Sequence, residues 1–257
     1  MSATDHTAAR ATFLVSRFGK FEDVTTEMAQ RELLELGEPA IPALLAALAD
    51  PKNGWTAAKV LGQIGVAAPE VIAALRPLAS SLWHAMALGM LGDLDWLSEQ
   101  EPAVACLGLT ARLKAVCYEG ASPPGLSYAP LEAWLDRSGT QGLALVEKEL
   151  EPGRSYIGIQ AADVDEAVRG LASGYAVIRW HAAAVLRNRR LGKEAGRRAL
   201  PALALALADP HPFVRRIAVL SIEAWKSAAK PFYKAVEKLV DDPDETARFV
   251  AARLLGR

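Results

Sequence analysis

Pro201-Ala-Leu-Ala-Leu-Ala-Leu-Ala-Asp209-Pro210 decides the fold, because the chain writes it twice. The earlier copy is Pro42-Ala-Leu-Leu-Ala-Ala-Leu-Ala-Asp50-Pro51, with Pro, Leu, Ala, Asp and Pro at matching offsets. A second apolar run follows each copy, Trp55 to Ile64 in one case and Phe213 to Trp225 in the other. Both stretches predict a helix, an Asp-Pro turn and a second helix. Pro42 and Pro201 suit a first helical turn, where the missing N–H would have no partner in any case. Asp50 and Asp209 end the first helix and offer a side-chain oxygen to cap the next. A helix pair repeated along a chain is the mark of an α-solenoid.

The second helices carry the periodic signal. Arg179-x-x-Ala182-Ala183-x-x-Leu186 recurs as Arg215-x-x-Ala218-Val219-x-x-Ile222 and as Arg248-x-x-Ala251-Ala252-x-x-Leu255, at intervals of 36 and 33 residues. Small residues beside a large aliphatic one turn later make a flat stripe that a neighbouring helix can approach closely. In the N-terminal half, Ala57-Ala58-x-x-Leu61-Gly62-x-x-Gly65 is echoed by His84-Ala85-x-x-Leu88-Gly89-x-x-Gly92. Aligning Trp55 with Trp83 shifts that register by one, and both registers stay open.

These Asp-Pro turns and Arg-x-x-Ala-Ala-x-x-Leu helices resemble HEAT repeats, specifically the short bacterial type also called phycobilisome-lyase-like. The resemblance covers residues 38–92 and 163–257 and leaves the middle of the chain out. It implies an all-α fold, an α–α superhelix whose usual work is binding other macromolecules. Lyase activity is not implied, since the repeat occurs in many proteins that are not enzymes. Arg179, Arg215 and Arg248 hold one repeat position. In keeping with the resemblance, they are expected to form a ladder, each reaching a turn aspartate such as Asp209 or Asp242.

Composition agrees. Hydrophobic residues make up 51% of the chain and aromatics only 7%, which suits tightly stacked helices and argues against wholesale disorder. The polar start lacks the basic-then-apolar order of a signal peptide, and no apolar run approaches the ~20 residues that span a bilayer. A cytoplasmic protein without a membrane partner is the expectation. Cys106 and Cys117 lie three turns apart on one predicted helix, roughly 16 Å, too far to bond to each other. They read as buried reduced thiols. The net charge of −1 hides an asymmetry: residues 169–238 carry +10, residues 1–168 carry −10 and residues 239–257 carry −1.

In order, helices are expected at 11–17 and 24–36 after a frayed start, then as pairs at 40–49 with 53–64 and at 69–79 with 81–91. A short piece at 94–99 leads into a helix at 102–117. Residues 118–130, with Pro123-Pro124 between glycines, break the pattern. Helices at 130–137 and 140–150 follow, then a break at 151–153 and an extended run at 155–160. Pairs resume at 163–172 with 176–190, 197–208 with 212–226, and 231–240 with 244–255. Asp163-x-x-Glu166 has capping-box spacing, and Asp242-Pro243-Asp244-Glu245 reads as N-cap, N1 proline and N3 glutamate. The sum is one solenoid over residues 1–257, of about seven helix pairs with an irregular central unit.

Little in the sequence proposes chemistry. His6, His84, His181 and His211 are scattered, with no metal-ligand spacing, and no phosphate loop, dinucleotide fingerprint or nucleophile elbow occurs. No catalytic residue, metal or cofactor is therefore assigned. Trp55, Trp83 and Trp180 open second helices and Trp225 ends one; such rings either pack between helices or stack on a ligand. The candidate binding residues are Arg187, Arg189, Arg190, Arg197 and Arg198, a basic rim around Leu191-Gly192-Lys193. Arginine's planar fork suits carboxylates and phosphates alike. Two functions follow. One is a non-enzymatic scaffold for an acidic protein, such as a dedicated regulator or toxin-neutralising partner. The other is a nucleic-acid binder, including a base-excision enzyme on HEAT-like repeats. A chromophore lyase rests on the repeat's family name alone.

Overall fold

The computed structural model describes residues 3–19, 26–115, 125–150, 163–188 and 191–257. Among them every regular element is helical, and they fall into two units, one reaching Ala115 and the other starting at Gly125. The expected 155–160 run, Cys117 and most of the 118–130 break lie outside the described residues.

The first unit is four helix pairs: α1 (Ala3–Val15) with α2 (Thr26–Leu36), α3 (Ile41–Ala47) with α4 (Gly54–Ile64), α5 (Pro69–Leu75) with α6 (Leu82–Leu91), and α7 (Leu94–Ser98) with α8 (Pro102–Ala115). First helices stack α1 on α3 on α5, and second helices stack α2 on α4 on α6 on α8. Two layers result, as a helical repeat requires. Helix α1 starts at Ala3, well before the expected frayed end. Alanines 8 and 9 favour helix, and Arg10 forks onto Glu32 of α2 at 2.5 and 2.6 Å.

Helix α6 is buried on all sides from His84 to Leu91. It is apolar all round because α4 and α8 close on both flanks. The approach to α8 is so close that a Cβ on Gly89 would lie 1.9 Å from the Gly108 carbonyl oxygen. Only glycine lets the two backbones meet there.

The second unit opens with α9 (Ala129–Leu150), two helical arms joined at Gly139, whose φ of 59° and ψ of −142° favour glycine. These are the two expected helices, 130–137 and 140–150. Three pairs follow: α10 (Val164–Gly170) with α11 (Ala176–Val185), α12 (Gly192–Ala206) with α13 (Pro212–Ala224), and α14 (Tyr233–Val236), flanked by 3₁₀ turns, with α15 (Glu245–Leu255). Again the layers stack, α10 on α12 on α14 and α11 on α13 on α15. Among the described residues these contacts describe an all-α helical-repeat fold, with four pairs in the first unit and three in the second, the latter preceded by α9.

Three local expectations are corrected. Pro201 sits inside α12 rather than in its first turn, because α12 begins at Gly192. Ala195, Gly196, Ala199, Leu200 and Leu203 form one buried stripe across the proline, which is itself exposed, so packing overrides the missing N–H. The α15 N-cap is Asp244, accepting from the Ala247 N–H at 2.9 Å, and not Asp242. Asp209 and Asp242 instead accept the N–H two residues on, from His211 at 2.9 Å and from Asp244 at 2.8 Å. Each carboxylate thereby braces its turn, as aspartates in such turns do.

Candidate functional site

Arg179 of α11 donates through Nε and Nη2 to both oxygens of Asp209, at 2.6 and 3.0 Å, and through Nη1 to the Ser173 carbonyl at 2.9 Å. Arg215 of α13 repeats the geometry on Asp242 at 2.6 and 3.0 Å, with Nη1 on the Asp209 carbonyl at 2.9 Å. Both arginines thus reach six residues back to their own turn and forward to the aspartate of the next pair. Arg216 adds a parallel contact from α13 to Asp244. The Arg215 and Arg216 guanidinium groups hold the Asp242 and Asp244 carboxyls below the usual carboxylate range, against the opposing effect of burial. Arg248 keeps only the backward half, donating through Nη1 to the Asp242 and Pro243 carbonyls at 2.5 and 2.9 Å. No carboxylate among the described residues meets its fork.

The capping-box pair does something the sequence did not announce. Asp163 accepts the Leu126 N–H at 2.8 Å and Glu166 the Tyr128 N–H at 2.7 Å, so both carboxylates pin the chain at 126–128. Tyr128 is fully buried there, with its hydroxyl 2.8 Å from His181 Nδ1. Arg169 forks onto Glu166 at 2.7 and 2.8 Å and donates to Glu132 at 3.0 Å, and the Glu166 bonds raise its pKa further. All of this is structural chemistry, closed to a substrate by burial or by pairing.

The basic rim is only partly open. Arg187 is exposed, Arg197 pairs with Glu194 at 2.9 Å, and Arg198 pairs with Asp165 at 2.7 Å; Arg189 and Arg190 lie outside the described residues. Both ion pairs are solvated and hold little energy. Beside α12, the segment carrying α14 presents Lys226, Lys230, Lys234 and Lys238, all exposed and none in an ion pair among the described residues. Their four-residue spacing is visible in the sequence. The ladder arginines Arg179 and Arg215 are answered by aspartates, whereas Arg248 and these four lysines meet no carboxylate among the described residues.

The tryptophans divide. Trp180 and Trp225 are core, the latter donating to the Leu186 carbonyl at 2.9 Å. Trp55 is 41% exposed and leans on Trp83 with ring centroids 5.7 Å apart, under the Lys59 ammonium. His84 and His181, each following a tryptophan, are both buried, yet only His181 has the Tyr128 hydroxyl. Burial pushes the His84 imidazole below its ordinary value, with the Leu48 backbone offsetting part, and no hydrogen bond of good geometry reaches either ring nitrogen. Cys106 is buried. Among the described residues no group of three His, Cys, Asp or Glu is placed to hold a metal ion. None of the described helices is long and apolar enough to cross a membrane.

No family model and no curated protein matches the chain. Among solved structures it is similar to two engineered proteins. One is 17% identical over 96% of this chain and 95% of that one, with a TM-score of 0.34. The other is 16% identical over 96% and 97%, with a TM-score of 0.36. It is also similar to human deoxyhypusine hydroxylase in complex with glycerol, 23% identical over 98% and 96%, with a TM-score of 0.36. Likeness at this level carries no function across, and the helical-repeat architecture stands on the chain's own packing.

Proposed function

We propose that the chain is a non-catalytic binding scaffold, built from HEAT-like repeats of the short bacterial type, that holds an acidic protein. The supporting observation is the division of charge in the second unit. Its half-buried Arg179 and Arg215 are neutralised by ladder aspartates, while Arg187, Arg197 and the four lysines from 226 to 238 face solvent. A rigid two-layer stack presents such a surface without ordering cost on its own side. A dedicated regulator or toxin-neutralising partner is one form of this function.

Nucleic acid is the second reading, supported by the same unanswered lysines. It is the weaker one, because Trp180 and Trp225 are buried and offer bases no platform to stack on. Replacing Arg187, Arg197 and Lys230 with glutamate separates the two. A stoichiometric protein recovered by the unmodified chain from native lysate, and lost by this variant, supports the scaffold. Recovery of nucleic acid alone, or a partner indifferent to the charge reversal, overturns it.

A further inference from the structure

The second-helix layer of the first unit carries a half-buried charge with no counterion. Lys59 lies one turn after Trp55 on α4, so the two share a face. Its ammonium reaches the side-chain oxygen of Gln30 on α2 at 3.0 Å and stands 5.9 Å from the centre of the Trp83 ring on α6. No carboxylate among the described residues pairs with it. A lysine that serves only solubility extends its head into water. This one is drawn in over an indole and held on a neutral amide. Trp55, 41% exposed, lies 5.7 Å from Trp83 with the ring planes 37° apart, and its own N–H is committed to the Lys52 carbonyl at 2.9 Å. Trp83 in turn packs against Met86 and Met90.

From this we propose that Gln30, Lys59, Trp55 and Trp83 form a peptide-binding shelf, which takes a carboxylate side chain on the Lys59 ammonium and an apolar side chain on the Trp55 ring. Side chains two residues apart in an extended chain share a face and stand about 6.6 Å apart, close to the separations within the shelf. Partial burial strengthens the ammonium–carboxylate bond over one made in open water. Position and charge select the occupant. Helices α2 and α6 already flank α4, and α8 follows α6, so a further repeat would extend this layer from its ends and not over the shelf. A two-fold contact centred here would set Lys59 against its own copy. A nucleic-acid strand requires a row of cations, whereas the shelf offers one ammonium and residues 1–168 carry −10. A small free acid requires enclosure, and the exposure of Trp55 and Leu82 leaves the shelf open. A peptide anchored through two neighbouring side chains meets all of these conditions. The shelf is separate from the basic face of the second unit.

The probe is the capped peptide acetyl-Ala-Glu-Ala-Phe-Ala-amide, titrated into the full chain while NMR follows the indole N–H signals. Trp55→Phe and Trp83→Phe assign those signals. Saturable shifts of both are expected, with binding at least tenfold weaker when the peptide carries Gln in place of Glu. Lys59→Gln is expected to abolish that preference. The comparison of the two peptides is made on the unmodified chain and stands whether or not the variants fold. Equal binding of the two peptides, or binding of neither, overturns the proposal. So does a single-stranded oligothymidylate that moves the same signals at lower concentration than the peptide, which would assign the shelf to nucleic acid. Self-association of the unmodified chain that moves these signals and is lost in Trp55→Ala would assign it to a second copy and overturn the peptide assignment. The variant with Arg187, Arg197 and Lys230 replaced by glutamate is expected to bind the probe as the unmodified chain does, so failure of the scaffold reading and failure of this one are told apart.

Discussion

The two units share a plan and differ in what holds it together. In the first, α4, α6 and α8 pack through small residues, with Gly89 set against the Gly108 carbonyl and α6 sealed from solvent. Its turn aspartate Asp50 accepts the Lys52 N–H at 2.8 Å and meets no arginine among the described residues, and the fork of Arg76 onto Asp93, at 2.9 and 2.8 Å, leaves its arginine side chain 43% exposed. In the second unit the arginine–aspartate forks do that joining, from α11 to the turn before α13 and from α13 to the turn before α15. Close packing is intolerant of volume, and in this unit pH enters it through the buried His84 imidazole. A ladder of buried charge tolerates volume better and depends on ionisation. One repeat pattern therefore yields two kinds of fragility.

The largest effect that separates them is expected from Gly89→Ala. The new Cβ would meet backbone, which cannot rotate away, so α6 and α8 must part. A loss of about 4 kcal/mol or more is expected, read by urea unfolding. A loss below about 1 kcal/mol would show that the helices separate easily and that backbone proximity is incidental.

Next comes Arg215→Ala, which strands Asp242 with its side chain 5% exposed. Removing one partner of a mostly buried pair is expected to cost about 3 kcal/mol at pH 7. The cost shrinks in acid, where Asp242 can be protonated.

Both results bear on what the sequence made legible. The helix pairs were readable because alanine, leucine, Asp-Pro and the arginine repeat all carry periodic, local information. The ladder was readable for the same reason, since Arg179 and Asp209 recur at fixed offsets from each helix start. What escaped depends on contacts far apart in sequence. Asp163 and Glu166 look like a capping box, and nothing local says that Leu126 and Tyr128 claim them. Tyr128 meeting His181 is likewise a tertiary fact. Pro201 was misplaced because a buried stripe outweighed its local preference. The charge excess was legible, but which of its members stay unpaired required knowing which arginines the aspartates consume.

Acid should then resolve the units by pH window. His84 has a folded pKa below its unfolded value near 6.5, so the unfolded state binds the extra proton. Its contribution is full above about pH 6.5 and is lost as pH falls from there towards the folded pKa. Asp242 and Asp244 have lowered folded pKa values, so their contribution is full above about pH 4 and is lost as pH falls through those values. Hydrogen exchange should show α4–α6 amides loosening first and α13–α15 amides only below about pH 4. His84→Leu should flatten the first window and leave the second. A single transition shared by both units would merge the two fragilities.

The smallest effect belongs to the rim. Arg187→Glu with Arg197→Glu should change stability by less than about 0.5 kcal/mol, because both side chains are solvated and Arg197 has only an exposed Glu194. A larger loss in thermal melting would mean that the rim belongs to the fold and would weaken its claim as a binding surface.

The claim on which the comparison rests is that the second unit's pairs are joined by charge across Arg215 and Asp242. A double-mutant cycle of Arg215→Ala and Asp242→Ala, read by urea unfolding at pH 7, measures that joint directly. The expected coupling is about 2 kcal/mol, with the double variant little worse than either single one. Single losses that add to within about 0.5 kcal/mol would contradict it, and the ladder would then be geometry without energetic consequence.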